Sequence, residues 1–137
     1  MWMAQDAYLD SLKTQYEITE VIGERMDLLR SIAREEPETS QKIAYANELL
    51  ELANENDSYY VQHSAELQLG IGVRFLGDLS QSLEHLLVSL EIAESNNDDK
   101  LIGSSYGEIA ATYASQDDVS TSVQFANKAI QLFENRK

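Results

Sequence analysis

A helical phrase of seventeen residues recurs three times in the sequence at a constant interval of forty residues. The copies read SQKIAYANELLELANEN at 40–56, SQSLEHLLVSLEIAESN at 80–96 and STSVQFANKAIQLFENR at 120–136. Few residues are identical, but apolar residues recur three, seven and ten residues after the first apolar column, which places them on one helix face. The four columns are Ile43/Leu83/Val123, Ala46/Leu86/Ala126, Leu50/Leu90/Ile130 and Ala53/Ala93/Phe133.

The stretch before each copy has an apolar helical pattern of its own, so the repeating unit is a pair of helices. Breakers divide the halves (EEPE, LGD, QDD) and the units (NENDS, SNNDD). We expect Asp78 and Asp118 to be N-caps and Pro37 to lie in the first turn of a helix. The sequence thus predicts an all-α superhelix of three helix-turn-helix units, stacked so that each covers its neighbour's apolar face. The units are 21–58, 59–98 and 99–137, and the first-half columns are Val21/Val61/Leu101, Leu29/Leu69/Ile109 and Ala33/Val73/Tyr113.

Residues 1–20 precede the repeats and carry a helical stripe of Leu9, Leu12 and Tyr16. No helix breaker occurs before Gly23. We expect an N-terminal helical extension that either continues into the first unit or caps it.

Charge and composition narrow the choice of partners and compartment. The chain has 24 acidic residues against 10 Lys and Arg, a net charge of −14, so its field repels nucleic acids and anionic membranes. It has no cysteine, no apolar run long enough to span a bilayer and an acidic N-terminus unlike a signal peptide. These features indicate a cytoplasmic protein that binds neither nucleic acid nor membrane.

The middle unit contains the segment AELQLGIGVRFLGDLSQSLEHLLVSLEIAE at 65–94, with a Leu-Gly pair at Leu69-Gly70 and a Gly-Asp turn at Gly77-Asp78. In these residues it resembles the tetratricopeptide-repeat (TPR) family. The resemblance implies a superhelix whose concave groove binds a peptide or helix. The departures are Arg30 in the column of Gly70 and a period of 40 residues where about 34 is usual. The longer repeat resembles regulatory segments of bacterial signalling proteins.

The residues that usually carry catalysis or bind metal are scarce. His63 and His85 are the two histidines, and neither lies in a Glu-x-x-His motif, so we interpret both as helix-packing residues. There is no Gly-x-Ser-x-Gly, no cysteine and no phosphate-binding glycine loop, and GIG at 70–72 is better explained by close helix packing. The sequence predicts no catalytic residue, no metal site and no cofactor.

The first helix of each unit has a face opposite its packed apolar columns. In TPR arrays that resemble this one, that face lines the concave groove. In the middle unit Leu67, Ile71 and Phe75 form an apolar ridge there, either a partner interface or a face covered by the N-terminal helix or a second copy. Arg34 and Arg74 share a column and could bind a partner's carboxylate or pair with neighbouring acids. The predicted groove residues are Arg34, Ser64, Leu67, Ile71, Arg74, Phe75 and Ala111.

Three functional hypotheses follow. The first is a non-enzymatic protein–protein interaction module, the regulatory TPR-like part of a larger signalling protein, with a peptide or helix in its groove. The second is a homodimerisation scaffold, in which the third unit or the N-terminal helix pairs with itself; we expect the last helix to be covered by self-association unless the chain is a fragment of a longer protein. The third is a small-molecule sensor or enzyme that uses a pocket between helices. No sequence motif supports this third hypothesis.

Overall fold

The computed structural model describes the backbone of residues 2–135 and the side chains of residues 4–135. Within that range the chain forms seven α-helices and no strand, so the predicted all-α class is confirmed. None of these helices is both long and apolar enough to cross a bilayer. Residues 136–137, predicted as the end of the third unit, lie outside the described residues. The helices are α1 (Trp2–Ile18), α2 (Ile22–Glu35), α3 (Thr39–Glu55), α4 (Tyr59–Phe75), α5 (Leu79–Ser95), α6 (Asp99–Ser115) and α7 (Val119–Asn135).

From α3 onward the helices are regular to the residue. Each is 17 residues long and begins 20 residues after the last, which leaves links of three residues. The last residue of each link is an N-cap: the predicted caps Asp78 and Asp118 accept from the backbone N–H three residues on, at 3.0 and 3.1 Å. Glu38, Ser58 and Asp98 cap α3, α4 and α6 in the same way. The local module is therefore 20 residues, and two modules make one repeat.

The middle residue of four links has a positive φ. Asp57, Gly77, Asn97 and Asp117 have φ between 50° and 88°, a region that Gly, Asn and Asp adopt most readily. In each of these links the N-cap N–H donates to the carbonyl five residues earlier, which ends the preceding helix in a tight turn. Pro37 occupies the middle position of the link between α2 and α3, and its ring does not allow a positive φ. It lies two residues before α3, and the prediction that it belongs to the first helical turn was wrong.

The helices form two layers. α2 contacts α4 and α4 contacts α6, whereas α3, α5 and α7 contact only helices adjacent in sequence. The α2, α4 and α6 layer is therefore the inner, more closely packed one, and the array curves around it. α1 is separate from α2 and packs mainly on α2, where Leu9 and Leu12 meet Ile32, while Lys13 lies 5.5 Å from the centre of the Tyr45 ring on α3.

The core follows the predicted columns in part. Leu29, Leu69 and Ile109 are all buried, as are the columns of Ala46 and Ala53 in the first two units. In the first two units the columns of Ile43 and Leu50 are only half-buried, and those of Lys42 and Leu49 are buried instead. α3 and α5 each lie between two inner helices, and their most buried line is shifted by one residue from the predicted one.

In the part of the chain that the structure describes, the last outer helix, α7, contacts α6 alone. Val123, Ile130 and Phe133 of α7 are 49%, 53% and 42% exposed, although their counterparts on α3 and α5 are covered by α4 and α6. Val21, predicted as a packed column residue, precedes α2 and is 60% exposed.

The two glycines of GIG pack α4 tightly between its neighbours, as we predicted. A Cβ at Gly70 would lie 2.6 Å from Leu86 of α5, and a Cβ at Gly72 would lie 2.7 Å from Ile43 of α3. The Ser82 hydroxyl also donates to the Gly70 carbonyl at 2.8 Å. No side chain larger than hydrogen fits here without displacing one of these neighbours.

Candidate functional site

Two recesses lie next to each other along α4 on the inner layer. The first has a volume of about 210 Å³ and lies between α2, α4 and α6. The second, of about 500 Å³, lies beside the C-terminal halves of α2 and α4. Together they form one groove with α4 as its floor. The first recess is lined by Arg30, Arg34, Tyr60, His63, Ser64, Leu67, Gln68, Lys100, Leu101 and Ser104. The second is lined by Arg34, Glu35, Glu36, Pro37, Lys42, Leu67, Gln68, Ile71, Phe75 and Glu108.

Five of the predicted groove residues line these recesses. Arg34 and Leu67 border both, Ser64 borders the first, and Ile71 and Phe75 border the second. Leu67 and Ile71 are half-buried, and Phe75 is 63% exposed. Among the described residues α1 makes no contact with α4, so the N-terminal helix does not cover this ridge.

The other two predicted residues lie elsewhere. Ala111 is half-buried on α6 and lines neither recess. The Arg74 guanidinium turns toward α6, where it donates to the Glu108 carbonyl at 3.1 Å, the Glu108 carboxylate at 3.0 Å and the Thr112 hydroxyl at 3.2 Å. Its side chain is only 12% exposed. Arg74 thus pairs with a neighbouring acid, one of its two sequence-based interpretations, and braces α4 against α6.

Arg34 differs from Arg74 in that it has no strong ion pair. Its closest carboxylate is Glu35, with Nε 3.9 Å from Oε1, and both side chains are more than a third exposed. Such a contact contributes little in water. The Arg34 side chain therefore remains open to a ligand in the groove.

Seven residues that line the first recess were not among the predicted groove residues: Arg30, Tyr60, His63, Gln68, Lys100, Leu101 and Ser104. The Arg30 guanidinium lies 4.8 Å from the centre of the Tyr60 ring, a cation–π contact that positions it at the first recess. Arg30 breaks the small-residue column of Gly70, and that departure was the available signal. Nothing in the sequence marks Gln68 or Lys100, because their place depends on how the three inner helices meet.

Lys42, on α3 beside the second recess, forms hydrogen bonds to the C-terminal end of α2. Its ammonium donates to the carbonyls of Ala33 and Arg34 at 2.7 and 3.0 Å. Burial lowers its pKa, while nearby carboxylates, Glu35 foremost, act in the opposite direction. Ser82 and Ser122 hold the equivalent positions and bond to carbonyls of α4 and α6. One polar column thus fastens each outer helix to the inner helix of its own unit.

The histidines both join helices. The His63 ring is buried, with Nε2 3.1 Å from the Leu101 carbonyl and 3.0 Å from the Ser105 hydroxyl, and so links α4 to α6. Burial lowers the pKa of His63, so the ring is neutral at pH 7 and Nε2–H donates. His85 Nδ1 lies 2.7 Å from the Glu66 carboxylate and links α5 to α4. Both contacts are of the packing kind expected from the sequence.

Within the described residues, no group of three or more His, Asp or Glu side chains is placed to hold a metal ion. No protein-family model matches the chain, and a search of curated proteins finds no match to it. The fold defines a helical-repeat protein, and the groove along α4 is its candidate functional site.

Proposed function

We propose that the chain is a non-enzymatic interaction module of the TPR-like kind, which binds a peptide or helix of a partner protein in its inner groove. The observation that carries the proposal is the apolar ridge of Leu67, Ile71 and Phe75 along the groove floor. The ridge lines a recess of about 500 Å³, and among the described residues α1 makes no contact with α4. Uncovered apolar residues in a row are typical of interaction surfaces.

The setting of the module is part of the same proposal. The length of the repeat favours a regulatory segment of a larger bacterial signalling protein, and the absence of cysteine together with the acidic composition suits a cytoplasmic site. The −14 charge argues for a protein partner and against nucleic acid.

Glutamate at both Leu67 and Ile71 is expected to abolish groove binding, because two charges would be placed against the apolar part of the ligand. The test selects binders from a random-sequence peptide library on the wild-type protein. It then measures the affinity of the strongest peptide for the double variant by fluorescence anisotropy. We expect a loss of about tenfold or more.

The matched control is Leu87→Glu with Val88→Glu on α5. These residues are 52% and 39% exposed on the outer layer, so the variant carries the same chemical change away from the groove. It is expected to bind the peptide as the wild type does. Equal loss of affinity in both variants, or in neither, would show that the peptide does not use the ridge.

Homodimerisation is a second candidate function, which the exposed face of α7 favours. Over Val119–Asn135 this helix carries one lysine and one glutamate, whereas α5 carries three glutamates and no lysine or arginine. A second copy of an acidic chain can therefore approach α7 with less repulsion than α5. We expect sedimentation velocity at tens of micromolar to show a dimer that Ile130→Glu with Phe133→Glu makes monomeric. A monomeric wild type would remove this candidate.

A further inference from the structure

An apolar seam runs along α7 with the spacing that two paired helices use. Its members follow one another at intervals of four, three, four and three residues: Val119, Val123, Ala126, Ile130 and Phe133. Intervals of three and four keep every member on one narrow face of the helix, so a second helix can pack along the whole row. These five residues are called the α7 seam below.

The face that the seam occupies is covered on α3 and α5 and open on α7. Its counterparts on α3 and α5 are all buried or half-buried: Thr39, Ile43, Ala46, Leu50 and Ala53, and Leu79, Leu83, Leu86, Leu90 and Ala93. On α3 this face packs on α4, where Ile43 lies against Gly72. On α7 four of the five residues are exposed, and Ala126 is half-buried although Ala46 and Leu86 are 0% exposed. The seam is therefore a helix-packing face on which no helix packs within the described residues.

The flank of the seam lacks acids that α5 carries. Beside the corresponding face, α5 has Glu84 and Glu91, whereas α7 has Gln124 and Gln131 at the same two places in the repeat. All four side chains are exposed. A partner with a net charge of −14 is repelled by the two glutamates and not by the two glutamines. The α7 seam therefore suits a second copy of this acidic chain.

The seam has nearly the same pattern in both directions along the helix. Val123 and Ile130 lie three and four residues from Ala126, and Val119 and Phe133 each lie seven residues from it. A two-fold axis at the middle of α7 places the residues of each half against the other half of the partner's seam, as a self-complementary interface requires. Alanine at the crossing point allows the two helices to approach closely.

The charges at the two ends of α7 favour an antiparallel pair. Asp117 and Asp118 precede the helix in the sequence, and Arg136 and Lys137 follow it. Antiparallel pairing brings the acidic end of each helix toward the basic end of its partner, whereas parallel pairing brings like charges together. It also keeps the two Glu134 carboxylates at opposite ends of the interface.

We propose that α7 pairs antiparallel with α7 of a second copy, about a two-fold axis near Ala126 and Asn127. This pairing rests on homodimerisation, the second candidate function above, and specifies its surface, its orientation and its centre. In the dimer, α7 of the second copy covers the seam as α4 covers the matching face of α3. One 17-residue helix per copy is a smaller contact than the roughly 800 Å² per partner of typical stable complexes. We therefore expect a weak dimer that forms on the order of tens of micromolar.

Spin labels on single cysteines test the orientation, since the chain has no cysteine of its own. Ser120, Asn127 and Glu134 are exposed, lie seven residues apart and follow one edge of the seam. Electron paramagnetic resonance measures the distance between the two identical labels of each dimer. We expect the Asn127 pair to be the closest. The Ser120 pair and the Glu134 pair should each be separated by roughly 20 Å along the helix axis, because each label lies about 10 Å from the centre.

Glutamate at both Gln124 and Gln131 restores the acids of α5 and tests the choice of partner. Both positions are exposed, so the fold should be unaffected. We expect the dissociation constant of the dimer, measured by sedimentation, to rise about fivefold or more at low salt and to return toward wild type at high salt. The control, Gln41→Glu with Asn47→Glu, adds the same charge to exposed positions of α3 and should leave the dimer near wild type.

The outcomes separate the orientation from dimerisation itself. If the wild type dimerises but the three pairs of identical labels show equal distances, the antiparallel pairing is overturned and the candidate function stands. Equal weakening by the α7 and α3 glutamate variants would show a general charge effect and overturn the match between the seam and a second copy. A wild type that stays monomeric overturns both, whereas peptide binding in the groove depends on none of these results.

Discussion

Valine at Gly70 is expected to lower the free energy of unfolding by about 1–3 kcal/mol, since overpacking a full core forces side chains and backbone apart. A Cβ at this position would lie 2.6 and 2.7 Å from Cδ2 and Cγ of Leu86, and 3.3 Å from the Ser82 carbonyl oxygen. Leu86 is fully buried, so it has no free space to rotate into. The change would separate α4 from α5 at the centre of the array.

Gly107→Val is the control for Gly70→Val. Gly107 also lies within a helix, but a Cβ there would meet nothing within 4 Å. Because glycine is a poor helix former, valine at this exposed site should leave stability unchanged or raise it by a few tenths of a kcal/mol. Urea unfolding followed by circular dichroism measures both. Equal losses at the two glycines would contradict the close packing assigned to Gly70.

Truncation of Leu49 to alanine is expected to cost about 2–5 kcal/mol, the range for a fully buried leucine that leaves a cavity. Leu49 is 0% exposed and belongs to the core cluster of α2, α3 and α4, together with Leu29 and Val61. Leu50, its neighbour in sequence, is only half-buried against the same cluster. Leu50→Ala should therefore cost about half as much, because less apolar area leaves contact.

The pair distinguishes the structure from the repeat pattern. Column matching along the sequence assigned Leu50, not Leu49, to the packed face. A larger loss for Leu50→Ala than for Leu49→Ala, measured by the same urea unfolding, would restore the sequence-based register and contradict the structural one.

The helices and their order could be predicted from the sequence, because helix starts and ends depend on signals in nearby residues. Asp78 and Asp118 each precede an apolar helical pattern and cap the helix that follows. Gly70 indicated a close approach of two helices, because a residue without a Cβ lets helix backbones lie close together. The repeat itself reports that successive units pack alike.

The residues that are buried on each outer helix could not be predicted exactly from the sequence, for a physical reason. An apolar scan counts side chains that avoid water, whereas Lys42 and Ser82 are buried because their donors bind carbonyls of the neighbouring helix. The exposure of Ile130 likewise depends on the absence of a covering helix beside α7 in the described residues, which no local pattern encodes.

The candidate site was predicted on its apolar side and missed on its charged side. Leu67, Ile71 and Phe75 follow one another along a single helix, so their spacing revealed the ridge. Arg30 and Lys100 come from helices seventy residues apart in sequence and meet only across α4. Arg74 carried the same apparent signal as Arg34, and only the contact with α6 separates the two.

The proposed function depends on the inner groove as the binding surface, and a nuclear magnetic resonance titration tests this most directly. Amide shifts of the labelled protein would be followed as the strongest library-selected peptide is added. We expect the largest changes on α2, α4 and α6 around Ser64, Leu67 and Ile71. Largest changes confined to the outer helices α3, α5 and α7 would contradict it.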